Sequence, residues 1–111
     1  MVDLTFLEKF TKGDKNKMKR YINMYLSVAP NTLETMAQNI LEKDWDQLRI
    51  NAHSLKPQTD FMGITELKSL LIDIEDDVKF GKVVSIEDRF KQARLIYLES
   101  EGKLKEILNG F

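Results

Sequence analysis

The chain has no cysteine, which excludes a disulfide framework, a thiol nucleophile and a cysteine-ligated zinc site. It has no long uncharged apolar run, so a helical membrane span is excluded as well. Neither sign of charge dominates: seventeen basic residues face eighteen acidic ones, for a net charge of −1. Without a basic block to grip nucleic acid, a protein is the expected partner. The opening Met1-Val2-Asp3-Leu4 has no basic segment leading into an apolar one, so no secretory leader and a cytoplasmic location are expected. Only two prolines and five glycines occur, and β-branched runs are scarce, so strands have little support. What remains is an apolar content of 42% over 111 residues, enough for one core and hence a single domain over 1–111.

Helical periodicity fills the chain. Thr5 with Glu8 three residues on reads as a capping box opening a short helix, which Gly13 closes. Asp14 caps the next helix, whose seam is Met18, Ile22, Tyr25, Ala29, Leu33, Met36 and Ile40. The register passes through Pro30 unbroken, which predicts one kinked helix rather than two. Asp44 with Gln47 is a second capping box, followed by a stripe of Trp45, Leu48, Ala52, Leu55, Thr59 and Met62 and a left-handed stop at Gly63. Thr65 begins a third long helix with Leu67, Leu70, Leu71, Ile74 and Val78 inward, ending near Gly81. Ser85 caps the last, which reads Ile86, Phe90, Ala93, Tyr97, Leu104, Ile107 and Leu108 despite Gly102. The expected fold is all-α: an antiparallel, up-down-up-down four-helix bundle with a short extra helix at its N-terminus.

The only histidine, His53, sits on the second long helix. At roughly 100° per residue it projects about 130° away from the Trp45 to Met62 stripe, so its ring should face solvent. Free imidazole titrates near pH ~6.5, so at cytoplasmic pH it offers a neutral, nucleophilic nitrogen suited to transient phosphorylation. Lys56, roughly 60° round the helix, is within reach of a phosphoryl group on that ring. Position 57 lies against the imidazole because helical side chains lean toward the N-terminus, and the compact Pro57 leaves that face open. Proline there also removes the amide that would bond the His53 carbonyl, which predicts a kink at the histidine. Ile50, Pro57 and Phe61 form an exposed apolar stripe beside His53, the mark of a docking patch; the alternative for Phe61 is cover by Phe6 and Phe10 of the short helix. Asp60 lies on the histidine face, too far for a directly bonded base, and reads as solvated or as a contact for a partner's cation.

Other constellations point elsewhere. The run Asp73-Ile74-Glu75-Asp76-Asp77 lacks the glycine-bearing turn of a calcium loop and reads as the solvated face of a helix. Ser54 and Ser85 have no histidine and acid arranged around them as a hydrolytic triad. The five methionines mostly fall on seams and read as packing.

Ala52-His53-Ser54-Leu55-Lys56, with Gly63 ten residues after the histidine, resembles the signature of histidine-containing phosphotransfer (HPt) domains of phosphorelays. The resemblance extends along the chain, from the Asp44-Trp45 helix start to the helix holding Ile74-Glu75. It departs at Pro57, where the family usually has glycine, and at Gln58, where it has a small residue. The resemblance implies that His53 carries a phosphoryl group between receiver-domain aspartates and that Lys56 stabilises its charge. Ile50, Pro57, Asp60 and Phe61 would meet the partner, and Gly63 would end the helix. It implies a carrier without turnover of its own and no metal site of its own, magnesium coming from the receiver. Partners would be receiver domains and a hybrid sensor histidine kinase, with no nucleic acid or membrane, and the domain would act as a monomer. The competing reading is a helical adaptor that docks on a receiver or kinase without being phosphorylated.

Overall fold

Two long helices of this chain start at carboxylates that accept from the free amides of the first turn. In the computed structural model, which describes residues 1–111, Asp14 accepts from the Lys17 N–H at 3.1 Å and Asp44 from the Gln47 N–H at 3.2 Å. They open α2 (Lys15–Leu41) and α3 (Trp45–Phe61). The short α1 (Thr5–Thr11) departs from expectation. Leu4 stands at its N-cap, and Asp3 just before it accepts from both the backbone N–H of Thr5 (3.0 Å) and its hydroxyl (2.6 Å), so Thr5 does not form the expected box with Glu8. α4 (Thr65–Lys79) follows, then a single 3-10 turn (Val83–Ser85) and α5 (Ile86–Asn109). Ser85 stands at the start of α5, but its hydroxyl makes no capping bond; the 3-10 turn leads the chain in. α2 and α3 run unbroken through Pro30 and Pro57, and α5 through Gly102.

The expected seams meet in one core. Ile22, Tyr25, Leu33, Met36, Leu48, Leu55, Leu67, Leu71, Ile74, Phe90, Tyr97 and Leu104 are buried, while Ile40, Trp45, Leu70, Val78, Ile107 and Leu108 pack half-buried around them. The short connections at 42–44, 62–64 and 80–85 turn each helix back along its neighbour, so α2 to α5 form an antiparallel bundle 43 × 20 × 19 Å in extent. α3 packs most extensively on α4, and α2 against α5 closes the ring. α1 caps one end, with Leu7 fully buried.

Polar pins fix the helices in register. The Tyr25 hydroxyl pairs with Thr59 Oγ1 at 3.0 Å, and Asn51 Nδ2 donates to Asn39 Oδ1 at 2.8 Å, both joining α2 to α3. Arg89 of α5 lies between Asp73 and Asp77 of α4, 3.1 Å from an oxygen of each; its contact with Asp77 is an ion pair without hydrogen-bond alignment. The acidic run is therefore not a uniformly solvated face. Two of its carboxylates hold α5, Glu75 turns toward α3, and of the run only Asp76 is exposed.

Gly63 is where the N-terminus locks onto the bundle. Its φ of +65° is the left-handed conformation that ends α3, and a Cβ there would overlap the Asp3 carbonyl. Removing the side chain lets the Asp3 N–H donate to the Met62 carbonyl at 3.2 Å.

Candidate functional site

Two side chains of α3 converge on one of α4. His53 and Lys56, one turn apart, both reach the Glu75 carboxylate, His53 Nδ1 at 2.8 Å from Oε2 and Lys56 Nζ at 2.9 Å from Oε1. Helical spacing aligns the first two. Glu75 arrives because it follows the core residue Ile74 and stands one turn beyond Leu71, on the flank of α4 that packs on α3.

Exposure differs across this triple: the His53 side chain is 68% exposed and that of Glu75 only 17%. Burial pushes the Glu75 carboxyl up, but the hydrogen bonds from Lys56 and His53 and the positive charge of Lys56 outweigh it and hold its pKa below the usual value. An ionised carboxylate only accepts, so the proton on the shared edge sits on Nδ1. The neutral ring then carries its lone pair on Nε2, the nitrogen left free of the protein. A shallow groove lined by Asp46, Arg49, Ile50, His53 and Glu75 lies to one side of the imidazole, and a second lined by His53, Lys56, Pro57, Asp60 and Lys68 to the other. No three His, Asp or Glu side chains converge in a way that could hold a metal ion.

The expected docking stripe is only partly as read from sequence. Ile50 is 58% exposed and Pro57 is exposed, both beside His53. Phe61 is half-buried, which corrects its reading as an open docking residue. Its ring packs edge-on against Phe6 and Phe10, each 5.1 Å away between centroids, and stacks on Tyr21 at 6.0 Å. The cause is α1, which lies over that end of α3. Phe6 and Phe10 are themselves half-exposed, so the apolar surface continues outward through them. Asp60 is exposed and accepts from Lys68 Nζ at 3.1 Å, so it already has an internal cation.

Glu75 is the site residue that sequence reasoning missed. It was hidden in the acidic run, and its signal was the register: it is the one acid of that run directly after a seam residue and four after another.

The family model described as the Hpt domain matches residues 20–108. The chain belongs to this family. The match runs from Arg20, in the second turn of α2, to Leu108, one residue short of the end of α5, and leaves α1, with its two phenylalanines, outside it. The crystal structure of histidine-containing phosphotransfer protein B from Pseudomonas aeruginosa has the same fold, with a TM-score of 0.92 over 99% of this chain and 96% of that one at 15% identity. No curated protein sequence matches this Hpt domain significantly.

Proposed function

We propose that this Hpt domain is a phosphorelay intermediate, which takes a phosphoryl group on His53 from the aspartyl phosphate of one receiver domain and gives it to the aspartate of another. The observation that carries the reading is the exposed imidazole whose inner nitrogen is held by a carboxylate. With the Nδ1 proton donated to Glu75, the Nε2 lone pair is the nucleophile. It attacks phosphorus in line, the N–P bond forms as the P–O bond breaks, and the aspartate leaves as a carboxylate. No proton has to depart. The product is a phosphorylated imidazolium still bonded through Nδ1 to Glu75, so its positive charge is balanced and the ring remains a good leaving group for the return step.

Lys56 adds a mobile cation. Bound to Glu75 in the resting protein, its ammonium can turn to the phosphoryl oxygens while its stem stays on α3. The receiver is expected to bring magnesium and most of the charge neutralisation. What this chain supplies is position, through a face on which Ile50, Pro57 and the Asp60–Lys68 pair surround the histidine, bordered by the aromatic cluster. The domain acts as a carrier without turnover of its own, as a cytoplasmic monomer, with a hybrid sensor histidine kinase upstream.

The test is transfer itself. Receiver domains from the same organism, charged with labelled acetyl phosphate, should pass acid-labile, alkali-stable label to this chain but not to His53→Gln. Receivers that bind without transferring label would favour the adaptor reading.

A further inference from the structure

Pro57 lies inside α3, four residues after His53, where an ordinary residue would donate its amide to the His53 carbonyl. Proline has no amide to give. The neighbouring side-chain donors bond other groups and not that carbonyl: His53 Nδ1 and Lys56 Nζ reach Glu75, Gln58 Nε2 the Ser54 carbonyl at 3.4 Å, and Lys68 Nζ Asp60. Both His53 and Pro57 are exposed, and they line the same shallow groove with Lys56, Asp60 and Lys68. A helical carbonyl points toward the C-terminal end, here from His53 toward Pro57. An acceptor lacking its usual amide partner thus belongs to the same residue as the imidazole, beside a groove open to water in the free protein.

We infer that the main-chain carbonyl of His53, freed by Pro57, is a docking acceptor for an N–H donor of the receiver, which makes Pro57 a specificity-determining residue. The inference rests on the phosphorelay reading. A receiver that brings its aspartate in line with Nε2 must lay its own surface over the groove beside the ring. One whose rim presents an amide or side-chain N–H there gains a hydrogen bond; one that presents a carbonyl or carboxylate meets repulsion. Pro30 leaves the Leu26 carbonyl in the same condition on α2, outside either groove, and serves as an internal control.

The single histidine makes the test direct, because histidine labelled with ¹³C at its carbonyl gives one resonance from the whole chain. On titration with a receiver that phosphorylates His53, that resonance should move downfield. In Pro57→Ala the restored amide should place it downfield already in the free protein, and receiver affinity should fall about three- to tenfold, the share of one net hydrogen bond. Pro57→Val retains apolar bulk but also restores the amide, and should behave like Pro57→Ala. Pro30→Ala should leave affinity unchanged. A carbonyl resonance unmoved by a receiver that does phosphorylate His53 overturns the inference alone. So does wild-type affinity in Pro57→Val, which would assign the effect to apolar contact. If no receiver phosphorylates His53, the phosphorelay reading fails and takes this inference with it.

Discussion

Replacing Glu75 separates the two things its carboxylate does. In the folded protein it accepts from His53 Nδ1 at 2.8 Å and from Lys56 Nζ at 2.9 Å. A hydrogen bond to a charged group contributes about 1.5–3 kcal/mol when shielded. With the imidazole 68% exposed, solvent reduces this to roughly 1 kcal/mol, a factor of about five in an equilibrium. Glu75→Ala should therefore shift the ratio of the Nδ1–H to the Nε2–H tautomer about fivefold toward Nε2–H, and slow phosphoryl uptake by about the same factor. Glu75→Gln keeps a carbonyl that can accept the Nδ1 proton, so it should retain the tautomer while losing the charge that holds Lys56. The ring nitrogens of the single histidine can be read by ¹⁵N NMR, and uptake by the rate of labelling from a charged receiver. An unchanged tautomer ratio in Glu75→Ala, or uptake at the wild-type rate, would refute the assignment of Glu75 as the group that fixes the ring.

Phe61→Ser should cost about 2 kcal/mol, since roughly half of a phenylalanine's burial is lost along with its aromatic contacts, and the melting temperature should drop by about 10 °C. A melting temperature within a degree or two of wild type would mean that α1 does not hold the ring. Gly63→Ala should destabilise more than Gly13→Ala in urea titrations: both need the left-handed conformation, at about 1–2 kcal/mol, but only at Gly63 would a Cβ strike backbone, that of Asp3. Equal losses at the two sites would argue against the close approach. Burial pushes the Tyr25 phenol from 10 up to about 12 against the lowering effect of its Thr59 bond. The folded value lies above the unfolded one, so this contribution is fully present below pH 10 and is lost as pH rises toward 12, roughly 2–3 kcal/mol in all. Tyr25→Phe should flatten that alkaline decline in a pH series of denaturant melts, and an equally steep decline would show that Tyr25 does not cause it.

Much of this structure is written in local chemistry, which is why it could be read from the chain. Asp14, Asp44 and Gly63 act within one turn of themselves, so the borders of α2 and α3 follow from short spacings. The exposure of His53 follows from its angle to a seam on its own helix, and the structure agrees. Contacts between helices are another matter. Periodicity says which face of α4 is inward but not how far α4 slides along α3, and that offset decides whether Glu75 meets His53 or water. Phe61 shows the same limit, because its cover comes from a helix whose docking depends on Asp3 fitting over Gly63. The start of α1 departs from a Thr5–Glu8 box because two residues able to accept lie close together in sequence, and the carboxylate of Asp3 takes both the amide and the hydroxyl of Thr5.

The central claim concerns a single atom, and phosphorus NMR of the chain after incubation with a charged receiver tests it most directly. The account predicts one phosphoramidate signal assigned to Nε2 of His53, stable in alkali, lost in acid and absent from His53→Gln. A phosphate on Nδ1, on any other residue, or persisting in His53→Gln would contradict it.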